Sequence, residues 1–298
     1  MKSNRFLSVT MGVATVAGLM FTSCRKDNSN DNDTSSSADN NMAEHYSNDI
    51  VSIAAQGSDA GSTTTYRLGN DEETLSSCAT VAVDTVNKIV TVTFNGGNCL
   101  DGRTRSGTLT INYSASTLGA RHYRDPGFSC TITSSNYVVD GNQVNIINKT
   151  ITNTTAAGFN PATTNLTWNV SATMNIIKAN NGGTVSWTCN RTTTLLNTSD
   201  ANVYHGSSTA ISWGQARIGI TGSANGTTAA GDHFTATVTS QLIRDFGGCN
   251  IGGRHPFIQG TMDFTPGAKA TRHIDFGNGS CDNTATVTIG SHTYTVTM

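Results

Sequence analysis

An all-β fold is what this sequence predicts, with long antiparallel strands forming a sandwich-like or strongly curved open sheet. Three observations carry that expectation. The chain holds 48 threonines, and Thr, Val and Ile suit pleated, half-buried surfaces. Apolar and polar residues alternate with a period of two over long runs, while no long stretch shows the 3.6-residue period of an amphipathic helix. Gly, Asn and Asp clusters break the runs where turns are needed, and only 4 prolines interrupt them. Alternation with short turns implies antiparallel sheets with one dry face each. The length of the middle runs favours the sandwich-like version.

Taken in order, the first hairpin joins Val81–Val83 to Ile89–Phe94, with Val90, Val92 and Phe94 on one face and Thr91 and Thr93 on the other. Leu109, Ile111 and Tyr113 repeat the pattern between Thr108 and Tyr113. The longest run places Leu166, Trp168, Val170, Ala172, Met174 and Ile176 on one face. Ala179-Asn-Asn-Gly-Gly183 then turns the chain back into Val185, Trp187 and Cys189, a hairpin signature. Further strands are expected near 207–213, 216–223, 233–243, 255–264, 270–276, 284–289 and 292–298. Residues 51–298 are long enough for a single β domain.

The N-terminus reads differently. Lys2 and Arg5 precede an uncharged, mostly apolar run from Phe6 to Met20, too short for a permanent bilayer span and suited to a cleaved export signal. Phe21-Thr-Ser-Cys24 resembles a bacterial lipobox, with Phe21 where Leu is more usual. The resemblance makes 1–23 a lipoprotein signal peptide and Cys24 the site of lipid attachment, with enough acyl chain for stable anchoring. Residues 24–50 set Arg25 and Lys26 against Asp27, Asp31, Asp33, Asp39, Glu44 and Asp49, and are rich in Asn and Ser. That composition predicts a flexible acidic tether. Residues 51–298 carry fourteen charges of each sign, so the body has no electrostatic footprint for nucleic acid.

Phe94-Asn-Gly-Gly-Asn-Cys99 and Phe276-Gly-Asn-Gly-Ser-Cys281 each end an alternating run and lead into a Thr-alternating one, which suggests two related halves. Together with the lipobox and the Asn/Asp/Ser run, these paired turns resemble lipid-anchored cell-envelope lipoproteins of Bacteroidota that have no known activity. The resemblance implies an outer-membrane address, and Arg25 and Lys26 interrupt the acidic signal that would select its outer face. Asp84-Thr85-Val86 resembles the O-glycosylation acceptor of that phylum, at Thr85.

Six cysteines follow the anchor: Cys78, Cys99, Cys130, Cys189, Cys249 and Cys281. An even number without a C-x-x-C motif favours disulfides over metal in an oxidising compartment. Proximity and the repeat favour Cys78–Cys99 and Cys249–Cys281, leaving Cys130 for Cys189.

Signatures of catalysis are missing. Neither G-x-S-x-G nor H-E-x-x-H occurs, and there are only three glutamates, so an acid pair would rest on scattered aspartates such as Asp101, Asp125 and Asp263. Asp245-Phe-Gly247 and Asp275-Phe-Gly277 read as strand-end turns, and His273 with Asp275 as an exposed polar pair. Arg121 and Arg124, with Arg103 and Arg105, form a candidate anion-binding loop. The expectation is therefore a non-enzymatic envelope lipoprotein, without metal or cofactor, whose β body binds a protein or glycan partner or serves structurally. The alternative is a carrier of lipid or another apolar ligand, with Trp168, Met174, Trp187 and Phe234 on the concave side of a curved sheet. A polysaccharide hydrolase is the lowest alternative.

Overall fold

The structure is a computed structural model that describes residues 31, 34–60, 78–99, 102–117, 119–206, 208–252 and 254–297. One antiparallel sheet of 13 strands is built as an uninterrupted meander, each strand paired with its neighbours in sequence. In order these are β1 (Ala79–Asp84), β2 (Ile89–Asn98), β3 (Thr104–Asn112), β4 (Ser129–Val139), β5 (Asn142–Asn153), β6 (Thr167–Ile177), β7 (Thr184–Leu195), β8 (Arg217–Thr227), β9 (His233–Asp245), β10 (Gln259–Pro266), β11 (Arg272–Asn278), β12 (Thr284–Ile289) and β13 (His292–Thr297). The sheet is open, since β1 pairs only with β2 and β13 only with β12.

The open-sheet version of the expectation is therefore the one realised, and the sandwich-like version is not. Among the described residues no second sheet covers the apolar face. A helix does: α1 (Ser35–Ala60), 26 residues and about 39 Å long. This corrects the flexible tether of 24–50, because residues 35–50 form the larger part of α1. Ala43, Tyr46, Ile50, Ile53 and Ala54 recur at helical spacing and are buried against the sheet. The first half of the helix is polar, and it is buried too: Asn40 and Glu44 are 0% and 1% exposed.

The sheet curls around this helix. Asn40 accepts a hydrogen bond from Trp187 Nε1 in β7 (3.0 Å) and lies 3.8 Å from Met262 Sδ in β10. Two turns further, the Tyr46 hydroxyl donates to Val139 O in β4 (3.4 Å). In a flat sheet β4 and β10 would stand roughly 29 Å apart at ~4.8 Å per strand. They reach helix residues only ~9 Å apart along its axis. Glycines at bulges permit the bend. Gly107 (φ +88°) falls at the β3–β4 register shift, where a Cβ would stand 2.1 Å from Asn136 O. Gly260 (φ +106°) falls at the β9–β10 shift, where a Cβ would stand 2.2 Å from Gln241 O. The curl also brings loops from opposite parts of the chain together, since a Cβ on Gly102 would lie 2.9 Å from Gly252 O.

Alternation decides which side chains meet the helix. Leu166, Trp168, Val170, Ala172, Met174 and Ile176 are all buried, as are Val90, Val92, Phe94, Leu109 and Ile111. The outer face is short and polar. Thr131, Thr150, Ser171, Asn190, Ser223 and Thr237 stand directly opposite one another from β4 to β9, and none is buried. Such cross-strand pairs contribute ~0.2–1 kcal/mol each.

Two further differences concern strands. No strand forms at 208–213, where Ile211 is buried but the chain runs through turns into a short 3-10 turn, Trp213–Gln215. The hairpin of β4 and β5 is an addition to the strands expected above.

Two disulfides are present, Cys78–Cys99 and Cys249–Cys281, as proximity and the repeat suggested. Cys78 immediately precedes β1 and Cys99 directly follows β2, whereas Cys249 lies in the loop between β9 and β10 and Cys281 between β11 and β12, so the two bridges are placed differently. The third expected bridge does not form: Cys130 and Cys189 are buried free thiols. They occupy β4 and β7, with β5 and β6 between them. At ~4.8 Å per strand that spacing exceeds what a disulfide can span.

Candidate binding cavity

The helix is fastened by ion pairs before any cavity is formed. The inner face of the sheet carries Arg105, Lys149, Arg191 and Arg272, which burial would penalise heavily without partners. Arg105 Nη2 bonds Asp49 Oδ1 at 2.6 Å, Arg191 Nη2 bonds Glu44 Oε2 at 2.7 Å, and Arg272 Nη2 bonds Asp31 Oδ2 at 2.8 Å. Lys149 Nζ donates to Ser47 Oγ at 2.7 Å, and Lys178 Nζ pairs with Asp39 Oδ1 at 2.7 Å. The acidic residues of the supposed tether thus neutralise the cations of the sheet.

These attachments leave a cavity of about 360 Å³ between the N-terminal half of α1 and the last three strands, within the size range of small-molecule sites. Ala38 and Met42 of the helix face Ile274, Val287 and Val296 of β11, β12 and β13. Ile274 stands directly opposite Val287 in the ladder, so the alternation of these strands supplies a continuous apolar wall.

The other end of the cavity is polar, lined by His45, Tyr46, Arg103, Asp140 and Arg254. Arg103 Nη1 pairs with Asp140 Oδ2 at 2.9 Å, and its guanidinium lies 5.4 Å from the Tyr46 ring centroid. The Tyr46 hydroxyl accepts from Asn142 Nδ2 (2.8 Å). His45 packs against Phe257, ring centroids 5.9 Å apart. Burial first, and then Arg244, Arg103 and Arg254, lower its pKa to about 3, so its imidazole is neutral at physiological pH. Arg254 is exposed, beside Gly102, and pairs with no carboxylate among the described residues. Among the described residues lining this end, two guanidiniums stand against one carboxylate, an excess of positive charge.

The sequence-predicted site residues do not assemble as expected. Cys24 lies outside the described residues, as does Asp101. Of the candidate anion-binding loop, Arg103 pairs with Asp140, Arg105 with Asp49, and Arg124 is buried. Loop 121–127 closes on itself, with Asp125 Oδ2 accepting from the Arg121 and His122 amides at 2.9 Å each. The concave face expected to hold an apolar ligand is occupied, since Trp168, Met174, Trp187 and Phe234 are all buried. Trp168 stacks on Tyr123 at 4.4 Å and Trp187 is bonded to α1.

Asp263 pairs with His273 (2.7 Å) on the outer face, so His273 partners Asp263 in place of Asp275. Asp245 does serve a strand-end turn, accepting from Gly248 N (2.7 Å), whereas Asp275-Phe-Gly277 lies within β11, where Asp275 accepts from Gly277 N (2.8 Å). Among the described residues no cluster of three metal-ligating side chains occurs. Thr85 lies at the exposed tip between β1 and β2, where Asp84 accepts from the Val86 and Asn87 amides.

Sequence reasoning missed His45 and Arg254. His45 was assigned to the tether, and Arg254 followed a glycine pair with no periodic signal. No family model, curated protein or solved structure matches this chain.

Proposed function

We propose that this protein is a lipid-anchored cell-envelope protein of the outer membrane whose body binds a small molecule without catalysis. The observation that supports the reading best is the preformed cavity, with an apolar wall at one end and at the other a guanidinium that no carboxylate among the described residues neutralises. Ligand pockets are typically concave and mostly apolar, with a few convergent polar groups. The two disulfides mark an extracytoplasmic protein. Among the described residues no helix is long and apolar enough to cross a membrane, and attachment through Cys24 would hold the body at the bilayer.

Two measurements test the reading. The full chain purified from its native envelope is expected to carry a stoichiometric small molecule in native mass spectrometry, and filling the cavity with Val296→Trp is expected to remove it. Acyl-probe labelling should mark the wild type and not Cys24→Ser. Turnover of a glycan, peptide or ester substrate that one point substitution abolishes would overturn the non-catalytic reading.

A further inference from the structure

We infer that the cavity takes a single-chain carboxylate of medium length, an inference that rests on the binding reading above. The hydrocarbon lies along Met42, Ile274, Val287 and Val296, and the carboxylate is held by Arg254 with the imidazole of His45 beside it. Shape supports a chain. The cavity follows α1 from Thr34 to Tyr46, about 18 Å of helix axis, so it is long for its volume. Its 360 Å³ accommodates roughly a dozen water-sized groups, as in a ten-carbon acid.

Charge supports an acid. Arg103 is already matched by Asp140, while Arg254 has no acidic partner among the described residues, so an anion completes their charge balance and a cation worsens it. A guanidinium can meet both oxygens of a carboxylate in two parallel hydrogen bonds. His45, kept neutral by burial first and then by the nearby guanidiniums, can add an N–H without adding charge. A sugar fits poorly: among the described residues lining the cavity Tyr46 is the only phenol or indole, and a guanidinium already stands over its ring.

The test uses decanoate, decanol and decylamine below their micelle concentrations, titrated into the full chain by calorimetry. Decanoate is expected to bind once per chain, at least tenfold more tightly than decanol, with decylamine not binding. Arg254→Gln, at an exposed site without an ion pair among the described residues, should fold normally and reduce decanoate to the affinity of decanol. Val296→Trp should abolish binding. Equal binding of the three probes, no binding of decanoate, or an unchanged affinity in Arg254→Gln would overturn the assignment. If decanoate fails while Val296→Trp still expels a co-purifying molecule of another class, the carboxylate is wrong and the binding reading stands.

Discussion

Arg191 and Glu44 form a doubly bonded ion pair inside the protein, Nη2–Oε2 2.7 Å and Nε–Oε1 3.2 Å, with side chains only 3% and 1% exposed. The partners are 147 residues apart in sequence, one on α1 and the other on β7. Removing one member of such a pair leaves the other charge buried and uncompensated. Glu44→Ala should therefore cost ~3–5 kcal/mol, read from urea unfolding. The double variant Glu44→Leu with Arg191→Met should lose much less. Equal losses would show that packing at Glu44, rather than charge pairing, holds the helix.

Because α1 fills the concave face, it is part of the core. Deleting residues 31–60 exposes the inner-face aromatics Trp168 and Trp187 and strands four buried cations, Arg105, Lys149, Arg191 and Arg272. The shortened chain is expected to bind a hydrophobic dye and to lose cooperative thermal unfolding. A sharp transition at the wild-type temperature would return this segment to the role of a tether.

Lys149 provides a pH signature. Burial lowers its pKa from 10.5 to about 8, opposed by Cys189, Glu44 and Cys130. Below pH 8 the lysine is charged in both states and the full penalty for burying it is present. Between pH 8 and 10.5 the folded chain releases a proton that the unfolded chain keeps, so stability rises with pH, by about 3 kcal/mol across the window. Cys130 and Cys189 act in the opposite sense, because burial pushes their thiols up to about 12 and about 11. The comparison is therefore wild type minus Lys149→Met in urea unfolding. That difference should grow in favour of the wild type from pH 8 upward, and a flat difference would contradict a buried ammonium.

Denaturing alkylation without reductant should modify Cys130 and Cys189 alone among the six body cysteines, and reductant should open the other four. Each bridge should contribute ~3 kcal/mol by closing its loop in the unfolded chain. Recovery of a Cys130–Cys189 peptide would mean that the strand order between β4 and β7 is wrong.

The sequence by itself determined what local pattern can determine. Alternation such as Val90-Thr-Val-Thr-Phe94 assigns each residue to a face whatever lies beyond it, and the turns from Ala179 to Gly183 reverse the chain with their own backbone preferences. The two short-range disulfides follow for the same reason. Tertiary structure alone decided between two sheets and one, because a sheet's apolar face does not specify what will cover it. It also decided the fate of residues 35–50. An Asn-, Ser- and Asp-rich segment carries little local signal of order, and it is held by burying Ala43, Tyr46 and Ile50 against the sheet and by pairing with Arg105, Lys178 and Arg191, cations 56 to 147 residues away in sequence. The cavity was hidden in the same way: His45 and Arg254 become neighbours only when a curled sheet brings its ninth-to-tenth strand loop against the helix. Local periodicity selects the elements, and long-range charge and curvature select their arrangement.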